Sequence, residues 1–175
     1  MRPPVTMPPA PMPAQPKEGP MALTLRRNRD RDLAPLARML PDADIPLLNP
    51  NAKVPFDEME WHRKWLGEHT DVSFYLQDAA GQDVGFFALR EGIGPEVRHL
   101  TYVYLVETAR GGAAAELTER VEQAALGLGA LTLTLKVDLD NAPALNAYLS
   151  AGYEELSRRQ GMATMRLDLE ARRVA

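Results

Sequence analysis

From Ala22 onward the chain alternates strand-like and helical patterns. Leu23-Thr24-Leu25-Arg26 alternates like a short strand, and Leu33, Leu36, Ala37 and Leu40 then fall on one helical face behind Asp30 or Asp32, either of which can cap it. Pro41, Pro46, Pro50 and Pro55 exclude a long helix and predict a proline-punctuated loop. An amphipathic period resumes from Phe56 to Leu66 through Met59, Trp61, Trp65 and Leu66. Val72–Leu76 and Val84–Leu89 are β-rich runs joined through Ala79-Ala80-Gly81, a link suited to an antiparallel hairpin. A third run, from about Val97 to Val106, follows the turn signal Gly92-Ile93-Gly94-Pro95 and completes a meander. Ala113 to Leu128 is helical in its spacing of Leu117, Val121, Ala124, Ala125 and Leu128, and Gly127 and Gly129 end it. Leu131 to Val137 alternates as a strand, and Asn141 opens a helix through Ala151 that Gly152 stops. Tyr153–Leu156 and Met162–Leu169 predict two last strands around a turn near Gln160-Gly161. The pattern is α/β (α+β), without internal repeat.

Composition narrows this to one soluble domain. The chain has 175 residues, 45% hydrophobic and 25% charged. No apolar run reaches the roughly 18 to 20 residues of a membrane span. Cysteine is absent, which excludes disulfides, thiolate metal sites and a cysteine nucleophile. The net charge of −4 has the wrong sign for a protein that neutralises phosphate backbones, so no nucleic-acid partner is expected. Residues 1–20 hold 8 of the 15 prolines and read as a disordered, polyproline-biased tail ahead of a single domain over residues 21–175. These prolines interrupt any signal-peptide core, so the expected setting is the cytoplasm, and Met21 is an alternative start. A proline-rich ligand for a partner domain is the other reading of the tail. Arginine far exceeds lysine, the usage of a GC-rich bacterial genome.

Two segments carry candidate chemistry. The first is Val106-Glu107-Thr108-Ala109-Arg110-Gly111-Gly112-Ala113-Ala114-Ala115, a strand-to-helix junction of small residues. Such a junction leaves backbone N–H groups open at a helix start, where the dipole favours a diphosphate; equally, small residues there allow close helix–sheet packing. It is neither a Walker loop nor a dinucleotide fingerprint, since both consensus spacings are missing. The second segment runs from Val137 to Tyr153. Asn141 is a good N-cap, Pro143 is tolerated in the first turn, and Ala144 and Tyr148 lie one turn apart on one face.

Together these segments resemble the GNAT superfamily of acyl-CoA-dependent N-acyltransferases. Members carry a Q/R-x-x-G-x-G/A loop and then N-x-x-A-x-x-x-Y-x-x-x-G-F/Y, and the second pattern is matched at Asn141, Ala144, Tyr148, Gly152 and Tyr153. The order of elements agrees over about residues 22 to 170. The loop fits in two registers. Starting at Arg110 keeps the basic residue and Ala115 but puts Ala113 where Gly is usual; starting at Ala109 keeps Gly112 and Ala114, loses the leading Arg or Gln, and fits the helix face better. A customary proline is replaced by Val106, Glu107 and Thr108.

The resemblance implies a mixed, mostly antiparallel sheet of about six or seven strands flanked by about four helices. One strand pair is splayed between the strand ending near Val106 and the strand beginning near Leu131. The pantetheine arm of acetyl-CoA would lie in that split against the backbone of Tyr104, Leu105 and Val106. Its diphosphate would lie over residues Arg110, Gly111, Gly112, Ala113, Ala114 and Ala115, and Asn141 would touch the arm. Tyr148 would protonate the departing sulfur, since a phenol is protonated at pH 7. The attacking amine needs a base, for which His99 and Glu107 are candidates. The implied function is acetyl transfer to a primary amine, on a small molecule or peptide, in a chain that can pair as a homodimer. An acyl-CoA-binding sensor with little catalysis and an α/β interaction domain are the alternatives.

Other features are weaker. Asp42, Asp44, Asp57 and Glu58 would lie where family members shape the acceptor pocket, and their charge suits a cationic amine, as it suits any solvated loop. Trp61 and Trp65, one turn apart, read as core. Glu58, His62 and His69 lack a zinc-type spacing, and no metal is expected.

Overall fold

A computed structural model describes residues 22–110 and 113–173. The expected tail over residues 1–20 lies outside them, as do Met21, Gly111 and Gly112. Seven strands form one sheet: β1 (Thr24–Arg27), β2 (Val72–Gln77), β3 (Asp83–Glu91), β4 (Val97–Leu105), β5 (Thr132–Asp138), β6 (Glu154–Arg159) and β7 (Met162–Asp168), in the order β1-β2-β3-β4-β5-β7-β6. All neighbours are antiparallel except β4 and β5, which run parallel and are joined through a crossover helix. No described helix is long and apolar enough to cross a membrane.

Two cores sit on opposite faces. Helices α4 (Ala114–Gly127) and α5 (Ala142–Ser150) cover one face through Val121, Ala124, Ala125 and Leu145, packed with Phe87, Leu89, Leu133 and Leu135. Helices α1 (Ala34–Met39), α2 (Ile45–Leu48) and α3 (Glu58–Glu60) cover the other through Leu36, Ile45 and, just beyond α3, Trp61, packed with Tyr75, Phe86 and Tyr104. The unbroken apolar run in β3 follows from this, because Phe86 and Ala88 feed one core and Phe87 and Leu89 the other.

The expected helix count of about four is exceeded by short segments. The proline-punctuated loop folds into a 3₁₀ turn (Asp42–Asp44) and α2, which accepts Pro46 because a helix's first turn needs no N–H there. A five-residue helix, α6 (Leu169–Arg173), ends the described chain. The expected regular helix over Phe56 to Leu66 is also corrected. After α3 the backbone widens into a π turn (Trp61–Trp65), with Leu66 N–H donating to the Trp61 carbonyl at 2.8 Å. The widened turn seats Trp61 between Phe56, stacked at 5.5 Å, and Tyr102, edge-on at 5.0 Å. It also leaves Met59 61% exposed, off the face its spacing suggested.

A bulge in β4 opens the sheet. Phe86 faces Tyr104 but Ala88 faces Thr101, so one extra residue stands on β4, and Tyr102 adopts φ 55°. The bulge bends β4 away from β5, whose pairing with it is confined to Val97↔Thr132, Arg98↔Leu133 and His99↔Thr134. Beyond that rung β5 stays paired with β7 as far as Asp138, while β4 diverges as far as Leu105.

Candidate active site

The split has one wall with main-chain groups that no neighbouring strand uses. Val106 N–H donates to the Val84 carbonyl at 2.9 Å and Tyr104 lies opposite Phe86. Antiparallel alternation therefore turns the N–H and C=O of Leu105 away from β3 and into the split. After Leu105 the chain makes a 3₁₀ turn (Glu107–Ala109) and reaches α4. Ala109 is buried in the core, whereas Arg110 is exposed at the mouth.

The start of α4 suits an anion. Ala113, its N-cap, is buried and offers no side-chain oxygen, so the first-turn N–H groups that follow, from Ala114 and Ala115, lack a side-chain cap. One acid lies in that turn, and it is turned away: Glu116 Oε2 accepts from Leu23 N–H at 2.7 Å and pairs with Arg120 at 3.4 Å. Arg120 Nε also donates to the Leu23 carbonyl at 2.9 Å, so this carboxylate is spoken for by β1's leading end. An exposed groove of about 600 Å³ runs on between α4 and α5, lined by Ala115, Thr118, Glu119, Ala147 and Ala151. The residues present thus fit a ligand with an extended amide-bearing arm and a diphosphate.

Helix α5 supplies the side chains on the β5 side. Asn141 Oδ1 caps it by accepting from Ala144 N–H at 3.3 Å, which leaves the amide NH₂ of this exposed residue free to donate outward. Ala144 and Tyr148 pack against the main core, and the Tyr148 ring meets Tyr153 edge-on at 5.3 Å. Burial alone pushes the Tyr148 phenol up to about 12. Its hydroxyl bonds no described residue, so the protonated group keeps its donor free.

The acceptor-side candidates are dispersed. His99 stands on the last rung joining β4 to β5, with Nδ1 at 2.8 Å from Thr134 Oγ1. Burial lowers its pKa first, and the cations Lys136 and Arg90 lower it further, so it is neutral at pH 7. Six residues of strand, roughly 20 Å, separate it from Leu105. Glu107 is exposed on the 3₁₀ turn. Asp57 caps α3, accepting from Met59 and Glu60 N–H groups, and its pKa is lowered chiefly by the Glu60 bond. Asp42 and Glu58 are exposed, and Asp44 and Asp57 are half-buried. Trp61 is fully buried and Trp65 half-buried. His62 and His69 are exposed, and the described residues hold no group of three or more His, Asp or Glu placed for a metal ion.

Asp44 forms a cluster that the sequence does not announce. Its Oδ2 accepts from the Tyr104 hydroxyl at 2.6 Å and from Arg110 at 3.3 Å, and the Arg110 guanidinium lies 5.3 Å from the Tyr104 ring centre. Arg110 Nε donates to the Leu105 carbonyl at 2.8 Å. Burial, and then the Asp44 carboxylate, push the Tyr104 phenol up to about 12. Tyr104 enters from sequence only through its backbone, yet its hydroxyl ties β4 to the Asp42–Asp44 turn. The signal available was the aromatic pair Tyr102 and Tyr104, which share a face by strand alternation and which the bulge turns to the face opposite Leu100.

The fold has solved counterparts. The chain superposes on spermidine N-acetyltransferase from Vibrio cholerae, solved with CoA and spermine, with TM-score 0.70 at 20% identity over 87% of this chain and 98% of that one. A dodecameric structure of the same Vibrio cholerae enzyme gives TM-score 0.61 at 18% identity, covering 87% and 96%. A protein taken to be a phosphinothricin N-acetyltransferase gives 0.64 at 17% identity, covering 85% and 99%. No curated protein sequence matches the chain. The family model described as the acetyltransferase (GNAT) family matches residues 38–153, from α1 to the end of the Asn141–Tyr153 pattern. That match spans more than half of the sequence, and with it the protein belongs to the GNAT acetyltransferases, as an acyl-CoA-dependent N-acetyltransferase whose co-substrate is acetyl-CoA.

Proposed function

We propose that this chain transfers the acetyl group of acetyl-CoA to a primary amine that carries positive charge. One observation carries the reading: a strand edge at Leu105 stands open beside a helix start without a side-chain cap. An added-strand contact suits an amide-bearing arm, and the helix start suits its diphosphate. In this reading Leu105 holds the arm, the N–H groups of α4 hold the diphosphate, and the Asn141 amide donates to the arm. The exposed position of Arg110 supports the loop register that begins there.

Acetyl-CoA supplies an activated thioester carbonyl. The acceptor gives up one proton before attack, to His99 or Glu107 directly or through water, and that proton passes to solvent. Its neutral nitrogen then bonds to that carbon as the carbon–sulfur bond breaks, and sheds a second proton. Tyr148 acts on the sulfur. With its phenol near 12 and a thiol near 8.5, full transfer from Tyr148 is uphill by roughly 5 kcal/mol. Its role is therefore to donate a hydrogen bond as charge builds on sulfur, while the proton that sulfur finally keeps comes from the amine by way of the base or solvent.

Asp44 accepts from the hydroxyl of Tyr104 on β4, and its charge favours a cationic acceptor. Spermidine and spermine, named with the superposable structures, head the amine panel for that reason. We place the reaction in the cytoplasm and expect self-association, which light scattering measures. The primary test is thermal unfolding with and without CoA, repeated on Gly112→Asp. At a hundred times Kd the ligand stabilises the fold by about 2.7 kcal/mol. A rise in Tm that Gly112→Asp abolishes supports the site, and no rise at millimolar CoA overturns it.

A further inference from the structure

Arg110 bridges the open edge of β4 and the Asp42–Asp44 turn. Nε donates to the Leu105 carbonyl at 2.8 Å and a terminal nitrogen donates to Asp44 Oδ2 at 3.3 Å. The first of these is the main-chain acceptor on the open strand edge. The second is the carboxylate that would face a cationic amine. A single guanidinium thus covers one group needed by each substrate, and it is steadied by the Tyr104 ring beneath it.

We propose, resting on the acyl-CoA reading above, that Arg110 is a displaceable latch. In the structure it occupies the Leu105 carbonyl and Asp44. An arm amide that takes the Leu105 carbonyl expels Nε, the guanidinium loses its second anchor, and Asp44 is released to a cationic acceptor. No covalent bond changes; one donor replaces another. The strength is suitable: the two side chains are 40% and 22% exposed, and a pair so exposed is worth roughly a factor of two to five in an equilibrium. It holds the free state yet yields to a ligand that brings its own donors.

A double-mutant cycle isolates the latch, with CoA as the probe titrated calorimetrically into the full chain, Asp44→Asn, Arg110→Gln and the double variant. Asp42→Asn, which removes the same charge from the same exposed turn without touching Arg110, is the control. Asp44→Asn is expected to tighten CoA about two- to fivefold, the gain is expected to vanish in the Arg110→Gln background, and Asp42→Asn is expected to produce less than half of it. An equal gain in both backgrounds, a matching gain from Asp42→Asn, or no gain at all overturns the latch. Failure of the unaltered chain to bind CoA is a separate outcome that overturns the acyl-CoA reading itself. Melting curves verify each fold, and Asp44→Ser repeats the cycle if the Asn variant does not fold.

Discussion

Replacing Tyr148 by Phe removes one oxygen from a well-defined setting. The ring stays in its edge-on contact with Tyr153 at 5.3 Å and in the core beside α5. No described residue bonds the hydroxyl, so its loss leaves no described partner stranded, and the melting temperature is expected to move by less than about 3 °C. The kinetic effect is larger. A hydrogen bond to a group gaining charge is worth about 1.5 to 3 kcal/mol, which is roughly 10- to 150-fold in rate. The assay is thiol release at saturating acetyl-CoA with an amine identified from the panel, alongside calorimetric CoA affinity. The expected result is a kcat lowered more than tenfold with CoA affinity within twofold of the parent. Because burial holds the phenol near 12, the parent's kcat should show no falling limb assignable to Tyr148 below about pH 10. A Phe variant with unchanged kcat removes Tyr148 from the mechanism. A falling limb near pH 9 that disappears in the Phe variant refutes the argument that burial keeps this phenol protonated.

Alkaline stability follows from the same chemistry on a larger scale. All five tyrosines have raised pKa values, with burial the leading cause at each. A group whose folded pKa exceeds its unfolded value of about 10 contributes stability in full below pH 10 and loses it as pH climbs through the folded value. The melting temperature should therefore fall steeply between about pH 10 and 12, with phenolate absorbance appearing together with unfolding; smooth titration of folded protein near pH 10 would falsify this. Asp71 offers a test of the scaffold under the split. Its side chain is 2% exposed, it pairs with Arg90 at 3.0 Å and accepts from Glu68 N–H at 3.2 Å. Asp71→Ala should cost about 2 to 4 kcal/mol by denaturant titration, and a loss below about 0.5 kcal/mol would mean that Arg90, which also donates to the Trp65 carbonyl, carries the loop alone.

What the sequence disclosed about this molecule depends on how far apart the cooperating residues lie. Asn141, Ala144 and Tyr148 belong to one helix, where separations of three and four residues bring side chains to one face, so their relation is readable from spacing. The β3 strand is readable because burial on both faces demands an unbroken apolar run. The bulge at Tyr102 is not: an extra residue in β4 changes no composition, and a tyrosine at φ 55° gives no glycine-like warning. Nor is the π turn at Trp61–Trp65, since the same apolar residues fit an ordinary helix until the depth of Trp61 is known.

The cluster of Asp44, Tyr104 and Arg110 shows why the acceptor end resists such reading. Sixty-six residues separate Asp44 from Arg110, and their meeting depends on two features the pattern conceals: the 3₁₀ turn that carries Asp44 and the bulge that turns Tyr102 and Tyr104 to the face opposite Leu100. In the proposed reading, the cofactor side of the split is assembled from main-chain groups and a helix start, which tolerate almost any side chain and leave their trace in small residues. The acceptor side is assembled there from side chains on separate elements, of which Asp44 and Arg110 lie outside the core. A chain can therefore keep the first and rebuild the second, and the charge placed at Asp44 is the local choice made here: a carboxylate fit for a cation, already filled by an arginine that the open strand edge can call away.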